Sequence, residues 1–214
     1  MARWVADTGA LVDHLRLGRF GLVGWSGGGQ FALAAAAGLP DRVTSVALAG
    51  TPAPAHDDLG DWPPAEIRQL VGLVRKDPQG AVEGIAAANQ WYPADPQLPM
   101  QLWSAPGDQA PRNLPQVAEA MAVMLREGAR QGVAGLVYDI VTGSLDWGFA
   151  LGQVSAPVAL WYGTLDPVVS PQHGRYYQQR LPNASQVRTR EADHLLAIPL
   201  WGDILGSLGL PQGR

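Results

Sequence analysis

Phe20-Gly21-Leu22-Val23-Gly24-Trp25-Ser26-Gly27-Gly28-Gly29-Gln30, followed by Phe31-Ala32-Leu33-Ala34-Ala35-Ala36-Ala37, decides how the rest of the chain is read. A short apolar run leads straight into a serine flanked by glycines, and a strong helix former follows at once. Its centre, Gly24-Trp25-Ser26-Gly27-Gly28, is a G-x-S-x-G, the pattern of a strand-to-helix turn that holds a serine at strained angles with its hydroxyl exposed. Gly24 and Gly28 are expected to be required because strand and helix approach too closely there for a side chain. Gly27 places a backbone N–H just after the serine at a helix N-terminus, where the dipole favours a developing oxyanion. With 26 glycines in the chain, the motif alone is a weak signal. The apolar run before it and the alanine-rich helix after it supply the context that the turn needs.

Outward from this turn, the pattern is that of a parallel sheet. Residues 20–25 are too short and too apolar to be anything but a buried strand. Residues 27–38 read as the helix leaving the turn, and Val43-Thr44-Ser45-Val46-Ala47-Leu48-Ala49 as a second buried strand. Strand, helix, strand makes a parallel unit with a crossover helix. Before it, Trp4, Val5, Thr8, Leu11, Val12 and Leu15 share one helical face, which predicts an amphipathic helix over 4–17 ended by Gly18. From Pro52 to Leu151 no stretch reads as a strand. Prolines punctuate four helical stretches near 65–75, 79–90, 115–131 and 133–145, and Trp62, Trp91, Trp103 and Trp147 fall in this half. The reading is an α/β core formed by 1–51 and 152–214, with residues 52–151 inserted as a helical cap. The sheet resumes with Pro157-Val158-Ala159-Leu160-Trp161-Tyr162-Gly163, then a helix over 171–181. A more polar strand over 185–190 suits a sheet edge, and a helix is expected over 195–208.

Composition narrows the classes of function. The 214 residues suit one domain with a subdomain, and 47% hydrophobic against 16% charged residues describes a packed protein. A net charge of −4 without a basic cluster argues against nucleic acid and anionic membrane as partners. The absence of cysteine excludes disulfides, thiolate catalysis and cysteine metal sites. Four histidines lie far apart, so no metal site is expected, and the glycine run lacks the lysine and spacing of nucleotide-binding loops. No cofactor is expected. The first residues lack a signal-peptide pattern and no run reaches transmembrane length, which points to a soluble cytoplasmic enzyme.

A serine hydroxyl is a weak nucleophile until a base takes its proton, and the base needs an acid to fix its tautomer. Asp166, in Gly163-Thr164-Leu165-Asp166-Pro167-Val168-Val169, stands immediately after the third strand. His194, in Glu191-Ala192-Asp193-His194-Leu195-Leu196, stands immediately after the fourth. Taken singly, Asp166-Pro167 reads as the start of a turn and His194 as a surface or helix-capping histidine. Among rival bases, His14 lies in the first helix, His56 in the cap loop and His173 at a helix start. None follows a strand as His194 does. Asp139 and Asp146 belong to the cap, and Asp193 adjoins His194 too closely to turn back and orient it.

These stretches resemble the α/β-hydrolase superfamily, specifically its cap-bearing bacterial members. The resemblance is carried by 20–54, by Asp146-Trp147-Gly148-Phe149 through His173-Gly174-Arg175, and by Leu181-Pro182-Asn183-Ala184 to Leu195. It implies the chain order serine, acid, histidine and an esterase-type mechanism. Ser26 would attack an acyl carbon, His194 move the proton, Asp166 orient His194, and the Gly27 amide hold the oxyanion. Trp25, beside the nucleophile, is the residue expected to touch substrate. The substrate is expected to be a small, weakly polar ester-type molecule in an apolar pocket roofed by the cap. The cap tryptophans are expected mostly to be core residues of that subdomain.

Two features depart from the resemblance. Asp193 stands where glycine is usual before the histidine. The nucleophile strand also begins at residue 20, whereas such proteins carry about 70 to 90 further residues, with several strands of the sheet, ahead of the helix that begins this chain. One of those strands ends in a His-Gly loop that supplies a second oxyanion donor, and losing such a donor costs about a hundred- to a thousandfold in rate. The fold is thus expected to be N-terminally truncated, leaving an apolar strand edge that is a template for another chain. That predicts a truncated gene product, a start codon assigned too late, or a homodimer (or swapped assembly) covering the edge. The competing functional reading is an inactive hydrolase fragment or ligand-binding relic. Carbon–carbon bond hydrolysis and perhydrolysis use the same triad and stay open.

Overall fold

The computed structural model describes residues 1–55, 65–88, 101, 103–105, 111 and 114–209. Expectations for Trp62, Trp91 and His56 fall outside the described residues. Two compact units emerge: Met1–Ala53 with Trp147–Arg214, and Pro54–Asp146. Boundaries placed at 52 and 151 from sequence stand here at 54 and 146. Trp147, counted with the helical half from sequence, belongs to the first unit, where it is buried and stacks on Phe149 at 5.9 Å.

The first unit is a four-stranded parallel sheet flanked by helices, with strands side by side in chain order. Its elements are α1 (Ala2–His14), β1 (Phe20–Trp25), α2 (Gly28–Gly38) and β2 (Val43–Ala49). After the second unit come a 3-10 turn (Leu151–Gln153), β3 (Val158–Gly163), α7 (Pro171–Arg180), β4 (Ala184–Arg190) and α8 (Trp201–Gly206). The apolar runs of β2 and β3 become strands because a parallel sheet covered on both faces buries its central strands. β1, expected to be a buried strand, is half-buried at a sheet edge with Gly24 alone fully covered. All six residues of β3 are buried, whereas β4, at the sheet edge, is half-exposed. β1 forms the opposite edge, with β2 its one strand neighbour among the described residues. Period-two alternation turns Ala47, Ala49, Ala159 and Trp161 towards Ile204 and Leu208 at the C-terminus. It turns Val46, Leu48, Leu160 and Tyr162 to the opposite face, and α2 and α7 pack against these strands.

Both terminal helices are shorter than the sequence predicts. The first helix, expected over 4–17, ends at His14, because Arg16 takes a left-handed φ of +56° that no helix continues through. Its apolar face is only partly covered: Val12 is buried, Val5 and Thr8 are half-buried, the exposed Trp4 ring lies 5.1 Å from Phe31, and Leu11 and Leu15 face solvent. The helix expected over 195–208 begins at Trp201, and residues 194–200 run as turns. Pro199, which has no N–H to give a helical bond, lies in that stretch.

In the second unit, α3 (Ala65–Lys76), α4 (Pro78–Ala88), α5 (Pro115–Gly128) and α6 (Ala134–Ser144) are all helical. Val74, Ala81, Ile85, Val133, Val137 and Val141 form its own apolar core. Asp77, before the proline that opens α4, accepts the Gly80 N–H at 2.9 Å and so caps that helix. Among the described residues, no helix is long and apolar enough to cross a membrane.

Candidate active site

Each candidate side chain sits where a strand of the first unit ends. Ser26 follows β1 with φ +52°, a left-handed angle that a serine adopts only when its surroundings force it. Its N–H donates to Ala49 O at 2.9 Å, so the end of β2 holds the turn in place. The turn is sharp because α2 begins two residues later. A Cβ on Gly24 would strike the Gly29 backbone, which requires glycine at 24. The helix-side requirement falls on Gly29 rather than Gly28. A Cβ at 28 meets open space, whereas one at 29 would run into the Thr51 side chain.

The structure brings Ser26, His194 and Asp166 together. Ser26 Oγ lies 2.8 Å from His194 Nε2, and His194 Nδ1 lies 2.8 Å from Asp166 Oδ2. The other carboxylate oxygen, Oδ1, accepts the Val168 and Val169 N–H groups at 2.8 Å each, so the acid loop wraps around its own carboxylate. An ionised carboxylate has no proton to give, so His194 carries its hydrogen on Nδ1 and turns the Nε2 lone pair to the serine hydroxyl. The side chains of His194 and Asp166 are 1% and 0% exposed, which keeps water from competing for these bonds. Gly27, the residue before α2, has an N–H that no acceptor among the described residues takes. It stands beside Ser26 at the positive end of α2, where an oxyanion would be stabilised.

Trp25, singled out from sequence to touch substrate, is placed against the base. Its indole N–H donates to His194 O at 2.8 Å, and its ring lies 5.8 Å from the imidazole. It also packs on the core cluster of Ala49, Trp161 and Leu196. Asp193 is buried, and its Oδ1 accepts the Leu195 N–H at 2.9 Å, which fixes the turn that follows the base. His14 is exposed in the last turn of α1. His173 is buried in α7, where its Nδ1 accepts the Ala53 N–H at 3.0 Å. Asp139 and Asp146 lie in the second unit. Sequence reasoning missed the Trp25–His194 bond and the role of Gly29. The glycine repeat at 27–29 gave no signal to tell its members apart.

Comparison with known proteins places the chain in a fold family. A family model described as alpha/beta hydrolase fold matches residues 1–199. A pimeloyl-[acyl-carrier protein] methyl ester esterase from Chromobacterium violaceum is 28% identical over 177 residues, covering 81% of this chain. The chain spans 62% of that relative's length. Among solved structures, a hydrolase from Pseudomonas aeruginosa superposes with a TM-score of 0.65 at 24% identity, over 98% of this chain and 71% of the other. An esterase from Exiguobacterium antarcticum gives a TM-score of 0.62 at 16% identity, over 96% and 70%. At these identities the two structures share the fold.

Proposed function

The chain belongs to the α/β-hydrolase fold family, and from that premise we propose that it cleaves a carboxylic ester or related acyl bond of a small apolar substrate through Ser26, His194 and Asp166. The observation that carries this reading is the unbroken relay from Asp166 Oδ2 through both nitrogens of His194 to Ser26 Oγ, at 2.8 Å in each step. The esterase named among the relatives supports an ester as the bond cleaved.

The chemistry follows from the geometry. His194 Nε2 takes the Ser26 proton as Oγ bonds to the acyl carbon, and the carbonyl oxygen becomes an oxyanion facing the Gly27 N–H. Asp166 stabilises the imidazolium and stays ionised. Collapse breaks the bond to the leaving alcohol, which departs with the proton from His194. Water then attacks the acyl-serine as His194 takes its proton, and a second collapse returns the proton to Ser26 and frees the acid. Water is the only second reactant.

Turnover of short-chain 4-nitrophenyl esters tests the reading. Asp166→Asn leaves the size of the side chain unchanged but favours the wrong histidine tautomer, and kcat is expected to fall about ten-thousandfold. An Asp166→Asn protein as active as the wild type would contradict it.

A further inference from the structure

Three buried side chains converge on the segment that leaves β2. The Tyr162 hydroxyl donates to Thr51 O at 2.9 Å, the Tyr177 hydroxyl donates to Pro52 O at 2.7 Å, and the Ala53 N–H donates to His173 Nδ1 at 3.0 Å. Residues 51, 52 and 53 are thus each held by one polar group of β3 or α7. Burying two phenols and an imidazole is costly unless their polar atoms are bonded, and here the bonds all fall on one stretch of backbone. To accept from Ala53, His173 must be neutral with its hydrogen on Nε2. Burial ensures this by pushing its pKa down to about 4, against the opposite pull of Asp166.

The segment opens at Gly50, which stands beside the reacting pair. Its φ is +54°, and a Cβ built there would stand 3.4 Å from Asp166 Oδ2, 3.4 Å from His194 Cε1 and 3.3 Å from Leu196 Cδ2. The Gly50 N–H donates to Trp161 O at 2.9 Å, which ties its other side to β3. Only the space of a single methyl group therefore separates the Gly50 backbone from the acid and the base, and a shift of residues 51–53 would move that backbone relative to both.

We propose that Tyr162, His173 and Tyr177 form a clamp on residues 51–53 that sets the position of Gly50 against Asp166 and His194, which makes His173 a positioning residue for the relay. This inference rests on the hydrolase reading. Displacements near 1 Å at a reacting group cost up to about a hundredfold in rate, so the clamp acts on kcat and leaves substrate binding nearly unchanged.

The test compares wild type, His173→Leu, His173→Asn, Tyr162→Phe and Tyr177→Phe in 4-nitrophenyl ester turnover, with the folded fraction of each measured by near-ultraviolet circular dichroism. In His173→Leu the Ala53 N–H has no acceptor, and kcat is expected to fall about ten- to a hundredfold with KM within about threefold. His173→Asn places an amide oxygen where Nδ1 was and is expected to recover most of that loss. Tyr177→Phe and Tyr162→Phe are expected to lower kcat by smaller factors in the same direction, and they carry the test if His173→Leu does not fold. Equal losses in the Leu and Asn variants, or kcat per folded molecule unchanged in all four, would overturn the clamp while leaving the hydrolase reading intact. A wild-type protein without turnover would overturn both, and is told apart because it fails before any variant is compared.

Discussion

Ser26 carries the conformational strain of the site. At φ +52° its Cβ crowds the following carbonyl, a cost of about 1–2 kcal/mol that glycine does not incur. The strained angle is what lifts Oγ to within 2.8 Å of His194 Nε2. Removing the hydroxyl alone should leave the strain in place. Ser26→Gly is therefore expected to be about 1 kcal/mol more stable than Ser26→Ala, measured by chemical denaturation. Alanine more stable than glycine at this position would contradict the strain. The serine and its motif are legible in the sequence, and so are Asp166 and His194 as residues that follow strands. The partner of Trp25 is not. Its bond to His194 O joins positions 169 residues apart, and no local pattern encodes such a pairing.

Among the elements, short apolar runs announce β2 and β3 because a parallel strand covered on both faces has few polar positions to alternate, and β1 reads the same way although it is half-buried at a sheet edge. Local rules fail where a neighbour decides. Nothing within the sequence 27–29 distinguishes one glycine from the next, yet Thr51, arriving from the end of β2, occupies the space beside Gly29 and leaves Gly28 open. Gly29→Ala is accordingly expected to destabilise by roughly 1–3 kcal/mol through overpacking. Gly28→Ala is expected to be neutral or stabilising by up to about 1 kcal/mol, since alanine favours a helix start more than glycine does. Equal effects on the denaturation midpoint would contradict the packing at Thr51. The exposed face of α1 has the same lesson in reverse. The spacing of Trp4, Leu11 and Leu15 is that of a buried face, but burial needs a neighbouring surface, which periodicity alone does not report.

For the whole molecule, the division into a parallel sheet unit and a helical unit is legible as a change of rhythm after Pro52, because strand-like runs stop and proline-punctuated helices begin. The polar network that fastens the sheet unit is not legible, since it links β3 and α7 to residues 51–53 through side chains that read as ordinary core aromatics. One consequence concerns acid. His173 has a folded pKa of about 4 against an ordinary 6.5, so between those values the unfolded chain binds a proton that the folded one does not. Its contribution to stability is complete above about pH 6.5 and is lost progressively as pH falls towards 4. The denaturation midpoint is expected to fall across that window in the wild type and less steeply in His173→Asn, and equal slopes would contradict a neutral, buried imidazole. Whether this chain assembles an activated serine is decided by labelling with a fluorophosphonate probe followed by peptide mass spectrometry. A single adduct on Ser26 is expected in the wild type and none in Ser26→Ala. A folded wild-type protein that takes up no label, or takes it up at another residue, would contradict it.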